Sequence, residues 1–326
     1  MPPFRAAARN AKLTLYPSAT PLDRRAGTFH GGSALILAMA RLLRAVLTLA
    51  CFAAAGRLAG MTYDDAQALF QSKRYAEART AFEAVAAAEP DNAAAAYHLG
   101  LLDLMRDDAE AAVQWLEKAT ALAPTSAPYE VSLGDAYGVL AQKAGLLSKP
   151  GFARKCRAAY EKAVTLDPRS VDAHLSLFRF YRQAPAIIGG GLDKARTEAQ
   201  ALQKLDDLQG TLALVEVDSA EKNFDEAFSL LAALRQRHPD AALAAYQLGR
   251  LAVVSGRHLA EGEAGFKEYL QHTPADGEPP LWAAHWRLGL LYERKGDAAG
   301  ARAEYQAGLK LNPTQPQLVE ALQRVQ

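Results

Sequence analysis

Helix-ending prolines recur at a near-constant interval along most of this chain, and that interval limits the fold more than any other feature. Pro90 and Pro124 lie 34 residues apart, each behind an alanine-rich or leucine-rich stretch, and Pro168, Pro239, Pro274 and Pro313 close similar stretches. Proline has no backbone N–H and its ring clashes with the preceding turn, so a recurring proline is a recurring helix stop. The segments ahead of these prolines are amphipathic: Ala81-Phe82-Glu-Ala-Val85, Tyr160-Glu-Lys-Ala163 and Tyr305-Gln-Ala-Gly-Leu309 each repeat apolar residues at helical spacing. A two-helix unit of this length cannot bury its apolar face alone. It has to stack on copies of itself, which predicts an all-α array.

A first helix precedes each of these second helices, often carrying a Leu-Gly pair: Leu99-Gly100, Leu133-Gly134, Leu248-Gly249 and Leu288-Gly289. Glycine inside a helix costs ~1 kcal/mol relative to alanine. Its return at one place in the unit predicts close helix–helix approach there. Small residues then open the second helices at Ala78, Ala112, Ala195, Ala227 and Ala301, so small faces small.

This pattern resembles the tetratricopeptide repeat, in which Leu-Gly/Tyr, Ala, an aromatic and Pro recur in order. Residues 282–315 carry it best, with Leu288, Gly289, Tyr292, Gly296, Ala301, Tyr305 and Pro313 in register. The resemblance implies a right-handed α-α superhelix of about seven helical hairpins, 59–92, 93–126, 127–170, 171–207, 208–241, 242–276 and 282–315. A capping helix over 316–326 follows. Three departures predict irregularity near the third to fifth units. About ten extra residues stand around Leu140–Pro150, and about five more in Ala184–Gly191. The fourth unit ends on Asp207 with no proline. In the sixth unit Gly262 stands where alanine is usual, and Thr273–Pro280 inserts a loop.

The first sixty residues do not share the repeat. Residues 1–38 are rich in Ala, Arg, Pro and Gly, and from Met39 a basic start, the apolar run Ala45–Ala55 and the small residues up to Gly60 follow the order of an export signal. The run is shorter than the ~20 apolar residues of a membrane span, so no stable span is expected. Met39 as the true start, lipidation of Cys51 and an organellar transit peptide remain as alternative readings. The repeat array is expected from residue 61 onward.

Composition excludes more than it identifies. The 37 basic and 36 acidic side chains leave a net charge of +1, which gives no bulk attraction to nucleic acid or anionic membrane. No phosphate-loop, dinucleotide, nucleophile-elbow or zinc-protease motif occurs. The Gly189–Gly191 triplet follows a helix and lacks the Lys-Ser/Thr of a phosphate cradle. The seven histidines lack metal-type spacing, and His98, His174 and His285 read as packed or surface residues. Asp64-Asp65, Asp107-Asp108 and Asp206-Asp207 read as helix caps, with Thr62–Asp65 as a capping box. Cys156 reads as a buried, inert thiol. No cofactor, metal or catalytic residue is expected.

The resemblance places the first helices on the concave side of the array, where family members hold protein or peptide partners. The leading candidates are Tyr63, Phe70, Tyr97, Leu101, Arg179, Arg182, Tyr246, Arg250 and Trp286. Gln67, Leu104, Val131, Leu175, Leu212, Glu216 and Glu293 share the register. Aromatic and arginine side chains dominate protein interfaces, so the expected role is a protein-binding scaffold of the bacterial cell envelope. The competing role is an assembly subunit that self-associates without a peptide ligand. The Lys and Asn with which some relatives grip a C-terminal carboxylate are missing from the corresponding inner positions. Arg179, Arg182 and Arg250 predict a ligand carboxylate, and ion pairing of these arginines to Glu216 is the alternative.

Overall fold

The computed structural model describes residues 61–145 and 147–325, which fall into two compact units, 61–124 and 125–325. The export-signal pattern, Cys51 and Met39 lie outside the described residues. Among the described residues there are α-helices, one 3₁₀ turn and no strand.

The first unit holds α1 (Tyr63–Gln71), α2 (Tyr75–Ala88), α3 (Ala93–Met105) and α4 (Ala109–Leu122), paired as α1/α2 and α3/α4. The second begins with α5 (Ala127–Lys143), α6 (Lys149–Leu166), α7 (Val171–Gln183) and α8 (Leu192–Leu205), with the 3₁₀ turn Ala186–Ile188 between the last two. It continues with α9 (Asp207–Glu221), α10 (Phe224–Arg237), α11 (Ala242–Ser255), α12 (Leu259–Tyr269), α13 (Leu281–Lys295), α14 (Ala298–Leu311) and α15 (Pro316–Arg324). Consecutive helices pair as hairpins, and α15 packs on α14.

The helix ends follow the local chemistry. Five second helices stop two residues before a proline, at Ala88, Leu122, Leu166, Arg237 and Leu311. The residue between leaves the helical region, as Pro Cδ requires of its neighbour: Ala123 has φ −130° and ψ 74°. Side-chain oxygens accept from free N–H groups at the starts. Thr62 and Asp65 form a reciprocal capping box, and Asn92, Asp108, Ser170, Asp206 and Asp297 cap α3, α4, α7, α9 and α14.

In four of the hairpins, a glycine of the first helix lies under a large side chain of the second. A methyl group added at Gly249 would sit 2.6 Å from three atoms of the Phe266 ring. Gly100 is covered by Leu116, Gly134 by Tyr160 and Gly289 by Tyr305, all closer than any Cβ tolerates. The facing alanines Ala78, Ala112, Ala195, Ala227 and Ala301 are fully buried. Gly262 departs from alanine because a methyl there would overlap the Ala252 side chain.

Hairpins are linked by a second device at the next position. Arg79, one residue after Ala78, pairs with the buried Asp103 on α3, and Arg196, one after Ala195, reaches Asp218 at 2.6 Å and Glu221 at 2.6 Å on α9. Arg302 donates to the Val325 carbonyl at 2.6 Å, tying α14 to the end of α15. Where the position holds Glu263, the polarity reverses: Lys267 and Lys295 bind it and hold its carboxyl down to about 2.

The inserted residues do not all loop out. Those around Leu140–Pro150 mostly lengthen helices, because α5 has 17 residues and α6 has 18, against 13 and 14 in α3 and α4. Pro150 sits in the first turn of α6, where a missing N–H leaves no helix bond unmade. Asp206 serves as both the end of α8 and the cap of α9, so that junction is a single residue. Gly210 then passes so close to the Gln203 backbone that no side chain fits.

Arg196→Ala is expected to destabilise the protein by about 3 kcal/mol or more, because it strands the charge of a 2 % exposed Asp218. Thermal or urea unfolding of the whole chain measures this, and the paired Arg196→Ala/Asp218→Asn variant should recover part of the loss.

Candidate functional site

The first helices of 61–124 carry four of the nine leading candidates, and the structure turns most of them inward. Phe70 is 5 % exposed and lies in the core with Phe82, Val85, Leu99 and Leu102. Its assignment to a partner surface is therefore corrected. The cause is a shared aromatic cluster. The His98 imidazole stacks on Phe82 with centroids 4.7 Å apart and meets the edges of Phe70 at 5.0 Å, Tyr63 at 5.7 Å and Tyr97 at 5.4 Å. Tyr63 and Leu101 are half-buried against the same core, and Gln67, Tyr97 and Leu104 are half-buried.

His98 Nδ1 donates to the Ala94 carbonyl at 2.9 Å. Burial among the rings holds the imidazole below its ordinary range and keeps it neutral. Histidine is thus a packing residue here, as its irregular spacing predicts.

In 125–325 the candidates divide. Tyr246 is 3 % exposed, packed with Phe266 and Tyr269, and accepts a hydrogen bond from Arg287 Nε at 2.8 Å. Its assignment as a partner contact is also corrected. Val131 and Leu212 are buried core residues as well. Trp286 is half-buried against the terminal cluster of Tyr305, Leu318 and Ala321, with the Arg287 guanidinium 5.1 Å from its ring centre. Glu293 accepts from the Tyr305 hydroxyl and pairs with Arg324 at 3.2 Å, so it closes the end of the array.

What remains is a compact ionic group on three successive first helices. Glu216 of α9 stands between Arg182 of α7 and Arg250 of α11, with Arg182 Nε 3.0 Å from one carboxylate oxygen and Arg250 NH1 3.6 Å from the other. The alternative reading, ion pairing of these arginines to Glu216, is present for Arg182 and Arg250. Arg250 NH1 also donates to Gln247 Oε1 at 2.7 Å, a partner the sequence reading did not include. The Nε groups of Arg182 and Arg250 are shut off from solvent, and neither makes a hydrogen bond. For Arg182 the 3.0 Å contact supplies charge attraction but lies out of line with its N–H. Two guanidinium groups therefore share one carboxylate. The group keeps an excess positive charge and unused donors while all three side chains stay partly open, at 31 %, 24 % and 31 %. Arg179, one turn before Arg182, is exposed, and Leu175 is half-buried. Val254, one turn after Arg250, is 52 % exposed and extends the apolar border.

No group of His, Cys, Asp and Glu among the described residues could hold a metal ion. No described helix is long and apolar enough to cross a membrane. Cys156 is buried, and that burial pushes its thiol up to about 12.

Two models of the tetratricopeptide repeat match the sequence, over residues 63–127 and 282–315. The chain is a tetratricopeptide repeat protein. The solved structures similar to it have the same all-α hairpin fold. A tetratricopeptide repeat protein from Parabacteroides merdae ATCC 43184 superposes with a TM-score of 0.63 at 13% identity, covering 82% of this chain and 99% of its own. Yeast Tom70 superposes with a TM-score of 0.59 at 14% identity, covering 78% of this chain and 51% of its own. At these identities the likeness concerns the fold. No curated protein sequence matches the chain significantly. The repeat assignment makes α1, α3, α5, α7, α9, α11 and α13 the first helices of their hairpins, so the ionic group lies on three successive first helices.

The neutral His98 makes stability depend on pH in a defined direction. Its folded form binds a proton less readily than the unfolded chain, so its contribution is fully present above pH ~6.5 and is lost as pH falls through the lowered value. Chemical denaturation between pH 7 and pH 5 should show this loss, and His98→Phe should flatten it.

Proposed function

We propose that this tetratricopeptide repeat protein is an interaction scaffold that holds a segment of a partner protein along the first helices of 125–325. The ligand presents a carboxylate to Arg182 and Arg250, with apolar side chains on either side. One observation carries the proposal: two guanidinium groups on neighbouring helices converge on the single carboxylate of Glu216, leaving buried Nε donors unused. A guanidinium fork pairs bidentately with a carboxylate, and such pairs are strongest where water is restricted. Arg179 adds positive charge one turn away, while Leu175 and Val254 supply apolar contact. Repeat arrays of this kind expose such first-helix surfaces to their partners.

The same reading gives Glu216 a definite role. It holds the two arginines apart and in place until a ligand carboxylate competes for them. Trp286, half-buried, extends the proposed partner surface at another first helix of 125–325, while Tyr246 supports it from the core; within 61–124, the half-buried Tyr63, Tyr97 and Leu101 are proposed as a partner surface of that unit alone. The order of residues 39–60 supports export, so the scaffold is proposed to act in the bacterial cell envelope. N-terminal sequencing of protein from its native host tests that part alone, and an intact leader would overturn it.

Labelled peptides ending in a free carboxylate or an amide, with apolar or polar neighbours, test the groove. Carboxylate peptides with apolar neighbours should bind best. The Arg182→Ala/Arg250→Ala variant should lose about 2 kcal/mol, or about thirtyfold in affinity. Glu216→Gln should tighten binding, because it removes the internal competitor. Equal affinities for all variants at low salt, with helical content retained, would remove this site.

A further inference from the structure

The chain is almost neutral overall, yet one stretch of it is not. From Ala136 to Tyr160 there are five basic residues, Lys143, Lys149, Arg154, Lys155 and Arg157, and no acidic one. These residues cover the end of α5, the connecting loop and the first half of α6. Arg157 is engaged internally, donating to the Ile188 carbonyl at 3.2 Å and facing Glu161 at 3.4 Å. Lys143, Lys149, Arg154 and Lys155 are exposed, with Lys155 lying 4.9 Å from the centre of the Tyr137 ring.

Two aliphatic side chains project from this basic edge. Leu147, in the loop before α6, is 98 % exposed, and Ile187, in the 3₁₀ turn after α7, is 87 % exposed. The Arg157 bond draws that turn against α6. Lys194 holds its far side by donating to the Gly189 carbonyl at 3.1 Å, so Ile187 is presented by a tethered turn. Lys149 and Arg157 are eight residues apart on α6, roughly 12 Å at the helical rise. Arg154, one turn before Arg157, falls along α6 between Lys149, next to the Leu147 loop, and Arg157, which holds the Ile187 turn. Of the acids beside them, Glu161 is bound by Arg157 and the Tyr181 hydroxyl, and Asp193 adjoins Lys194.

We propose that this edge is a peripheral docking surface for an anionic lipid bilayer. Leu147 and Ile187 enter the interfacial layer, while the four exposed cations meet lipid phosphates. The chemistry fits a bilayer better than a polyanionic chain or a folded acidic protein. Isolated, protruding aliphatic tips need a fluid apolar layer that closes around each of them, and nucleic acid offers them nothing. Lysine and arginine stems lie along apolar material while their charged ends reach the headgroups. An anionic surface strengthens binding roughly fivefold per basic residue, and a few apolar insertions turn that attraction into stable association. Overall neutrality does not oppose this, because the field that matters acts within about one Debye length of the surface.

The test uses the full chain carrying Leu147→Trp, with the wild-type emission subtracted so that only the added indole is read. Vesicles of phosphatidylcholine with phosphatidylglycerol should shift its emission to the blue, and phosphatidylcholine alone should not. Adding Lys149→Glu and Arg154→Glu should weaken partitioning roughly twentyfold or more, and Ile187→Ser should weaken it further, with circular dichroism unchanged. Attachment through residues 1–60 alone would leave the indole at 147 unshifted. An unshifted indole on anionic vesicles, or equal partitioning after charge reversal, overturns the proposal.

Discussion

A bare Cα against a bulky side chain is the contact on which the rest of this structure depends. Gly134 beneath Tyr160, Gly249 beneath Phe266 and Gly289 beneath Tyr305 let the two helices of a hairpin approach until the large side chain fills the gap between them. Close approach also determines where polar groups go. The Tyr160 hydroxyl donates to Asp135 at 2.6 Å and the Tyr305 hydroxyl donates to Glu293, so acids on the first helix are drawn to the seam of the hairpin. One residue beyond three of the small positions of the second helices, Arg79, Arg196 and Arg302 reach forward to the next element. Packing forms the hairpin, and charge then joins it to its neighbour.

That division of labour explains why so few first-helix residues are open to a partner. Several first-helix aromatic side chains serve the core: Phe70 lies within the His98 cluster, and Tyr246 lies under Arg287. In the middle of 125–325, polar side chains face outward from successive first helices with too few acids to match them. There the arginines of α7 and α11 meet across Glu216. The lengthened α5 and α6 and the tethered turn after α7 form a separate edge, whose charge and exposed aliphatic tips differ from those of the groove.

Much of this was readable in the sequence, because the repeat writes its packing rules in residue types that have few substitutes. Proline two residues past a helix end, Leu-Gly inside the first helix and Ala at the start of the second each have a steric cause. Each of those causes is visible in the structure. The pairing of Arg182 and Arg250 with Glu216 could also be anticipated from spacing and charge. Which way an aromatic faces could not. Tyr63 and Phe70 share one helical register class, but their burial depends on Phe82 and His98, which arrive from other helices. Nor did composition announce the extra helical turns of α5 and α6, since a ten-residue insertion can extend helices as readily as it can loop out. The Ala-Arg pairs at 78–79, 195–196 and 301–302 and the acid-free run 136–160 were present as signals, and only the fold gives them meaning.

A double-mutant cycle at Gly249 and Phe266 tests the central contact most directly, because three ring atoms stand at the same 2.6 Å from an added methyl. If close approach is what the glycine provides, Gly249→Ala should destabilise the wild-type protein by roughly 1–3 kcal/mol. In the Phe266→Ala background, where the ring no longer occupies the space, it should cost almost nothing or become favourable. The coupling should then be about 1 kcal/mol or more. Simple additivity of the two substitutions would contradict the account, since the glycine would then serve some purpose other than admitting the ring.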